Sequence, residues 1–440
     1  MCGCECVPSV ARGSLNSSTP QLLNSSTSLD MFQASQLRFY FTYLSCLALL
    51  VGLVVSPFLQ SMSLFGFAIA ALWESMATRT TLAERWKAFW KRPDFWVFGL
   101  HFTIVLLGFW AVQDMDFWLE RLRIKLPFLI LPLAFFFMPQ FTQRQYFSLL
   151  YVLVLVLSIT SLGILINYNL DYENIQLLIK QGQAMPMPTN HIRFSLLLAI
   201  GVLSAGYLYW QGYYFKSEKE RKWIAGMGLF LFGFIHLLSV RSGIAALYLA
   251  MLVMGLRYAW VSRRYWLAVG VVGVLAALPV LGYFVLPSFK MKVDYALYDL
   301  RMRQSGHTEM LSDSERITTL KVGWKIFSES PLLGVGAGNL DQAVHAQYAA
   351  HHPNAARVMM PHNQFLYVAA GSGIVGLLLF CVAIFLPLFY KGNYRDYLFL
   401  GTYVVILASL MVEATLENAM GVALASYFWL WGLKQREEAN

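Results

Sequence analysis

Four residues of this sequence combine a chemistry-bearing side chain with a place at the edge of an apolar segment. They are Arg193, just after the run Pro186-Met-Pro-Thr-Asn-His191, Arg241 in Val-Arg-Ser-Gly, Arg316 in a polar stretch, and His362 directly after Pro361. Ionisable residues at membrane boundaries are functional candidates by default. A guanidinium is permanently charged, weakly hydrated and able to donate two parallel hydrogen bonds, so converging arginines suit a diphosphate. One arginine alone serves equally well as an interfacial anchor. His362 immediately precedes a long apolar run and is expected at a helix N-terminus. The dipole there disfavours the imidazolium, which leaves the ring able to take a proton from a hydroxyl as a general base. A capping histidine satisfied by backbone is the plainer reading of that residue by itself.

Nearby signals are weaker. Pro331-Leu-Leu-Gly-Val-Gly-Ala-Gly-Asn339 is a glycine-rich turn whose N–H groups, at Gly336 and Gly338 in particular, can approach phosphate or sugar oxygens. No strand-turn-helix unit surrounds it, so it is not a dinucleotide fingerprint. Asp341, His345 and His352 have a helical spacing that would suit a metal, but solvated helix residues explain the same pattern, and no metal or other cofactor is expected. Lys321, Lys325, Arg301 and Arg303 can hold phosphates of a substrate or simply face solvent.

The elements that must position these groups are membrane helices. Of 440 residues 58% are hydrophobic and only 13% charged, with a mean hydropathy of +0.54, against roughly 25% charged in a soluble domain. Soluble enzymes, disordered scaffolds and outer-membrane barrels are excluded. The predicted fold is all-α and polytopic, with twelve spans at about 39–57, 61–77, 95–112, 124–141, 146–166, 192–211, 223–240, 242–259, 265–286, 363–389, 397–413 and 417–433. Lys and Arg crowd the connections on one side, while the short connections on the other hold only Arg121, Arg123, Lys125, Lys180, Arg193 and Arg241. The positive-inside rule then puts both termini in the cytoplasm. The chain divides into a flexible tail 1–38, spans one to nine over 39–286, an outer loop 287–362, spans ten to twelve over 363–433, and a short tail 434–440.

The loop is too long to be structureless and should carry helices. The clearest begins at Ser312, where Ser-Asp-Ser-Glu315 forms a capping box, places Ile317, Leu320, Trp324 and Phe327 on one apolar face flanked by Arg316, and ends before Pro331. Five cysteines do not form a disulfide framework: Cys2, Cys4 and Cys6 lie in the tail, and Cys46 and Cys381 within spans. The net charge of +9 is a topological signal plus a small outer cationic site, not a sign of nucleic acid. Span interiors hold almost no ionisable side chains. His101 and His236 are the exceptions, and each is read as a packing residue. That scarcity counts against an ion-coupled transporter.

The glycine-rich turn, then His362-Asn363, nine residues and Gly373-Ile-Val-Gly376, resemble the signature region of bacterial O-antigen ligases and their relatives, the O-antigen polymerases and protein O-oligosaccharyltransferases. The resemblance covers the architecture of nearly the whole chain and, in motif, about 311–376. It implies transfer of O-antigen polysaccharide from an undecaprenyl pyrophosphate carrier to a sugar of the lipid A core, at the periplasmic face of the bacterial inner membrane. The implied reaction inverts the anomeric centre and needs no metal. The family's histidine carries over to His362 and its arginines to Arg241 and Arg316, with Arg193 as a third. Asn363, Gly336, Gly338 and Lys321 are then expected to contact substrate. The partners are the lipid-linked donor, the lipid A-core acceptor and membrane lipids. A polymerase or protein glycosylase is the alternative within the class, and a lipid-linked sugar transporter the one outside it.

Overall fold

In lipid, each unpaired backbone N–H or C=O costs several kcal/mol, so a chain this apolar satisfies its backbone within helices. The computed structural model describes residues 22–77, 81–180, 183–305, 312–353, 355 and 357–436, and the cysteine-bearing start of the tail lies outside them. Among the described residues there is no strand. The helices run α1 (Leu22–Val55), α2 (Pro57–Ala77), α3 (Leu82–Trp90), α4 (Pro93–Trp96), α5 (Leu100–Leu107), α6 (Met115–Lys125), α7 (Pro127–Phe137), α8 (Gln143–Leu170), α9 (Tyr172–Lys180) and α10 (His191–Trp210). They continue with α11 (Glu220–Leu238), α12 (Arg241–Val261), α13 (Trp266–Val285), α14 (Pro287–Gln304), α15 (Ser312–Glu329), α16 (Leu340–His351), α17 (Gln364–Phe389), α18 (Tyr397–Val412) and α19 (Ala419–Gln435).

Helix covers part of each of the twelve apolar intervals, but among the described residues seven helices are long and apolar enough to cross a membrane. Two further apolar stretches, Pro93–Leu107 and Tyr397–Val412, are shorter. The interval 95–112 is broken by 3-10 turns at Val97–Gly99 and Gly108–Ala111. In 124–141, a boundary at Leu126 precedes Pro127, and the helix ends at Phe137. Averaged hydropathy does not register such breaks. The chain is therefore a polytopic helical membrane protein.

Packing sorts the spans into inner and outer. Two thirds (67%) of the most apolar window of α10 is buried, against 6% for α13, so α10 is a central helix and α13 faces lipid. α19 is buried along almost its whole length, with Trp429 stacked on Tyr403 and on Phe98. Side-chain caps set several helix starts: Thr142 and Gln145 form a capping box on α8, Asn190 caps α10, and Asp396 caps α18.

α17 is broken at Gly373, where φ is 63° and ψ −164°. A Cβ there would lie 2.2 Å from the Leu332 carbonyl oxygen, so glycine admits both the backbone angle and the neighbour. The Pro331–Asn339 turn repairs the break. Ile374 N–H donates to Pro331 O at 2.8 Å and Val375 N–H to Leu332 O at 3.4 Å, while Val335 N–H donates to Ala370 O at 3.2 Å. The two glycine motifs thus clamp one another.

α15 starts and stops where the capping pattern predicts, although the Ser312 side chain lies outside the described residues. Its buried face differs from the predicted one. Thr319, Val322 and Ile326 are buried, whereas Leu320 and Trp324 are exposed. Gly323 explains the rotation: its missing Cβ would sit 2.9 Å from Pro361, so the helix rests its smallest residue on the chain leading to His362.

Candidate active site

Glu413 follows the last residue of α18, its N–H capping that helix on Ser409 O. Its side chain is 6% exposed. One carboxylate oxygen lies 3.0 Å from His362 Nδ1, and the other accepts a 2.8 Å hydrogen bond from Arg316 Nη2. Burial pushes the Glu413 carboxyl up, but the hydrogen bond from His362 and the charges of His362, Arg316 and Arg193 outweigh it and hold it below the usual carboxylate range. His362 itself stands one residue before Asn363, which caps α17, and its N–H donates to Thr319 Oγ1 at 3.2 Å. With Nδ1 on the carboxylate, Nε2 is the ring nitrogen that makes no hydrogen bond among the described residues. This is the base-plus-orienter arrangement of general-base sites.

Arg316 also lines a cavity of about 430 Å³, whose wall includes Arg241, Lys292, Arg357 and His191 but, among the described residues, no Asp or Glu. The same wall also carries the apolar side chains of Ile179, Met185, Met187, Leu237 and Leu238. Arg241 is the first residue of α12, and Lys292 projects from α14 with Ser288 and Tyr295, one helical face. Burial and the adjacent Arg241 both push the Lys292 ammonium down, so a bound anion would be favoured there. Arg357 reaches the cavity while paired with Glu315 at 2.7 Å. A chamber lined by both cationic and apolar side chains can take an anionic head with a hydrocarbon tail.

Arg193 is 8% exposed on α10 and does not line the cavity. Its Nη1 donates to Asn190 Oδ1 at 3.3 Å, and its buried Nε has no partner among the described residues. It acts on the site through its charge on Glu413.

Four residues expected to contact substrate lie elsewhere. Asn363 is a structural cap: its oxygen accepts from Leu366 N–H and its amide donates to Met411 O at 2.8 Å. Gly336 and Gly338 do not line the cavity. A Cβ on Gly336 would meet Ala111 Cβ at 3.3 Å, and one on Gly338 would meet Trp118 Cβ at 3.0 Å, so both let the turn pack on the chain around α6. Lys321 is exposed on the far side of α15 from the cavity. Lys325 pairs with Glu329 at 3.3 Å, Arg301 is exposed, and the Arg303 side chain lies outside the described residues.

Asp341 and His345 stand 3.9 Å apart on the open face of α16, while His352 packs by Tyr348; among the described residues, no three His, Cys, Asp or Glu side chains gather in metal-binding fashion. His236 bonds Phe232 O and Tyr248 Oη, as a packing histidine would. His101 sits between Phe128 and Phe380.

Glu413 and Lys292 were not singled out from the sequence. Glu413 stands at a span end, and the criterion that selected the boundary arginines applied to it as well.

The fold and site define a polytopic membrane protein with a cationic cavity joined through Arg316 to a histidine–carboxylate pair. A family model described as O-antigen ligase matches residues 226–381, from α11 past the break in α17, so the chain is similar to that family over this region. The matched region contains Arg241, Lys292, Arg316, both glycine motifs and His362, while Glu413 lies beyond it. Members of this family are glycosyltransferase-like ligases and polymerases, which supports an enzymatic role. Comparison with curated proteins finds no match.

Proposed function

We propose that the protein is an O-antigen ligase, moving O-antigen polysaccharide from undecaprenyl pyrophosphate to a sugar hydroxyl of the lipid A core at the periplasmic face of the inner membrane. The observation that carries this reading is the link through Arg316 between the cavity lined by cationic and apolar side chains and the Glu413–His362 pair. The diphosphate lies against Arg241, Lys292 and Arg316, and the polyprenyl chain leaves past Met185, Met187 and Leu237. The chain crosses the membrane twelve times with both termini in the cytoplasm, and 287–362 is the outer loop.

In the reaction, His362 Nε2 takes the proton of the acceptor hydroxyl as that oxygen attacks the anomeric carbon. The bond from that carbon to the diphosphate oxygen breaks on the opposite face, its electron pair staying with the diphosphate, so the anomeric centre inverts. Glu413, on Nδ1–H, orients the ring and stabilises the imidazolium as it forms. Negative charge grows on the leaving group as the bond breaks. Fixed cations therefore favour the transition state over the bound donor, the role a divalent metal plays in other glycosyl transfers.

Complementation tests the function. Expression in a ligase-deficient strain that still makes polymerised, carrier-linked O-antigen should restore long-chain lipopolysaccharide. Failure there, with restored polymerisation in a polymerase-deficient strain, would move the protein to the polymerase branch.

A further inference from the structure

The reading of His362 as base requires that Glu413 be held in place, although it sits on a short turn between α18 and α19. Three consecutive side chains at the start of α17 grip that turn. His362 meets Glu413, the Asn363 amide donates to Met411 O, and Gln364, fully buried, spans the far end. Gln364 Oε1 accepts from Leu416 N–H at 2.9 Å, and its Nε2 donates to Glu417 Oε1 at 2.6 Å. From the opposite side α6 contributes Lys125, 4% exposed, whose ammonium donates to Leu416 O and to Glu417 Oε1, each at 2.7 Å. Arg121 adds a 3.0 Å hydrogen bond to Glu417 O. The turn is thus held through both its backbone and its carboxylate by groups that do not line the cavity of Arg241, Lys292 and Arg316.

We propose that Gln364, Glu417 and Lys125 form a buried positioning network that sets the Glu413 carboxylate against His362, making them positioning residues of the transfer reaction. This rests on His362 and Glu413 acting as proposed above. A buried ion pair is poor at adding stability compared with apolar packing, but once formed it tolerates little displacement, because either partner left alone is an uncompensated buried charge. That stiffness suits a device whose purpose is alignment, since an ångström of misplacement at a reacting centre costs on the order of a hundredfold in rate.

The test is steady-state kinetics of the full-length protein in lipid nanodiscs, with diphosphate-linked donor and lipid A-core acceptor. Gln364→Ala leaves the Lys125–Glu417 pair intact and should fold. Glu417→Asp, which keeps the charge but withdraws it by one methylene, is the second variant, and melting temperature is followed for both. The expected result is a fall in kcat of about tenfold or more with donor KM unchanged. In a Glu413→Gln background, Gln364→Ala should then cost little further, because the group it positions is already disabled. Wild-type kcat in both folded variants, or full additivity with Glu413→Gln, would overturn the proposal. If His362→Ala and Glu413→Gln themselves keep wild-type kcat, the reading of the base has failed instead. Loss in those two with none in Gln364→Ala and Glu417→Asp isolates the failure to the network.

Discussion

His362 Nδ1 lies 3.0 Å from a carboxylate oxygen of Glu413, a residue 51 positions later in the chain. The other oxygen of that carboxylate is 2.8 Å from Arg316, so one buried acid joins the base to the cationic cavity. Each half of the site thereby fixes the other.

Glu413→Gln keeps the shape of the side chain and removes its charge, so the ring of His362 loses both its orienting acceptor and the compensation for its proton. Turnover should fall by about a hundredfold, with donor affinity little changed. The same carboxyl is held below its ordinary value near 4.5, so its ionised form contributes stability that is present above that pH and lost as the pH falls through the lower folded value. Melting curves of wild type and Glu413→Gln should therefore show a stability gap that is steady at neutral pH and closes below about pH 4.5. A gap that widened on acidification would contradict the pairing.

Arg241 and the histidine were legible from sequence because they stand at the mouths of apolar segments, where charge is conspicuous, whereas Arg316 was picked out as the cation flanking the apolar face expected for the loop helix. Lys292 was hidden in an amphiphilic loop helix, and nothing local shows that α14 turns 288, 292 and 295 toward Arg241. Glu413 needed the packing of α18 beside the start of α17, a contact no spacing rule supplies. The glycine turn was misjudged for a different reason. A glycine that lets a phosphate approach and one that lets a helix approach look identical in sequence, and here the neighbours are Gly371, Ala111 and Trp118. Helix itself was fully legible from hydropathy, but the breaks at 97–99 and 108–111 were not, because an apolar run says nothing of where its hydrogen bonding changes register.

If Arg241 and Lys292 hold the diphosphate, their alanine variants should raise donor KM by about tenfold or more each, since a charge-assisted hydrogen bond is worth roughly 1.5–3 kcal/mol. Donor KM of the wild type should also climb with ionic strength, and less steeply in the variants. Unchanged KM in both would remove the clamp.

Gly373→Ala should destabilise the protein even though the residue touches no substrate. Backbone at φ 63°, ψ −164° is essentially confined to glycine and costs another residue on the order of 1–3 kcal/mol, and the new methyl meets Leu332 O at 2.2 Å, so the turn must leave the break in α17. A lower melting temperature is expected, and an unchanged one would show that the clamp between the motifs is dispensable.

If arginine and lysine supply the charge at the leaving group, as proposed, transfer should persist in excess chelator. Activity lost to chelator and restored by magnesium or zinc would contradict that account.

The most direct test of the central claim is transfer by His362→Ala in nanodiscs, measured beside equilibrium binding of the diphosphate-linked donor. Product formation should be abolished while the donor Kd stays within about threefold of wild type, because the cavity cations are untouched. Substantial turnover with the ring removed would show that another group takes the acceptor proton and that the His362–Glu413 pair is not the catalytic centre.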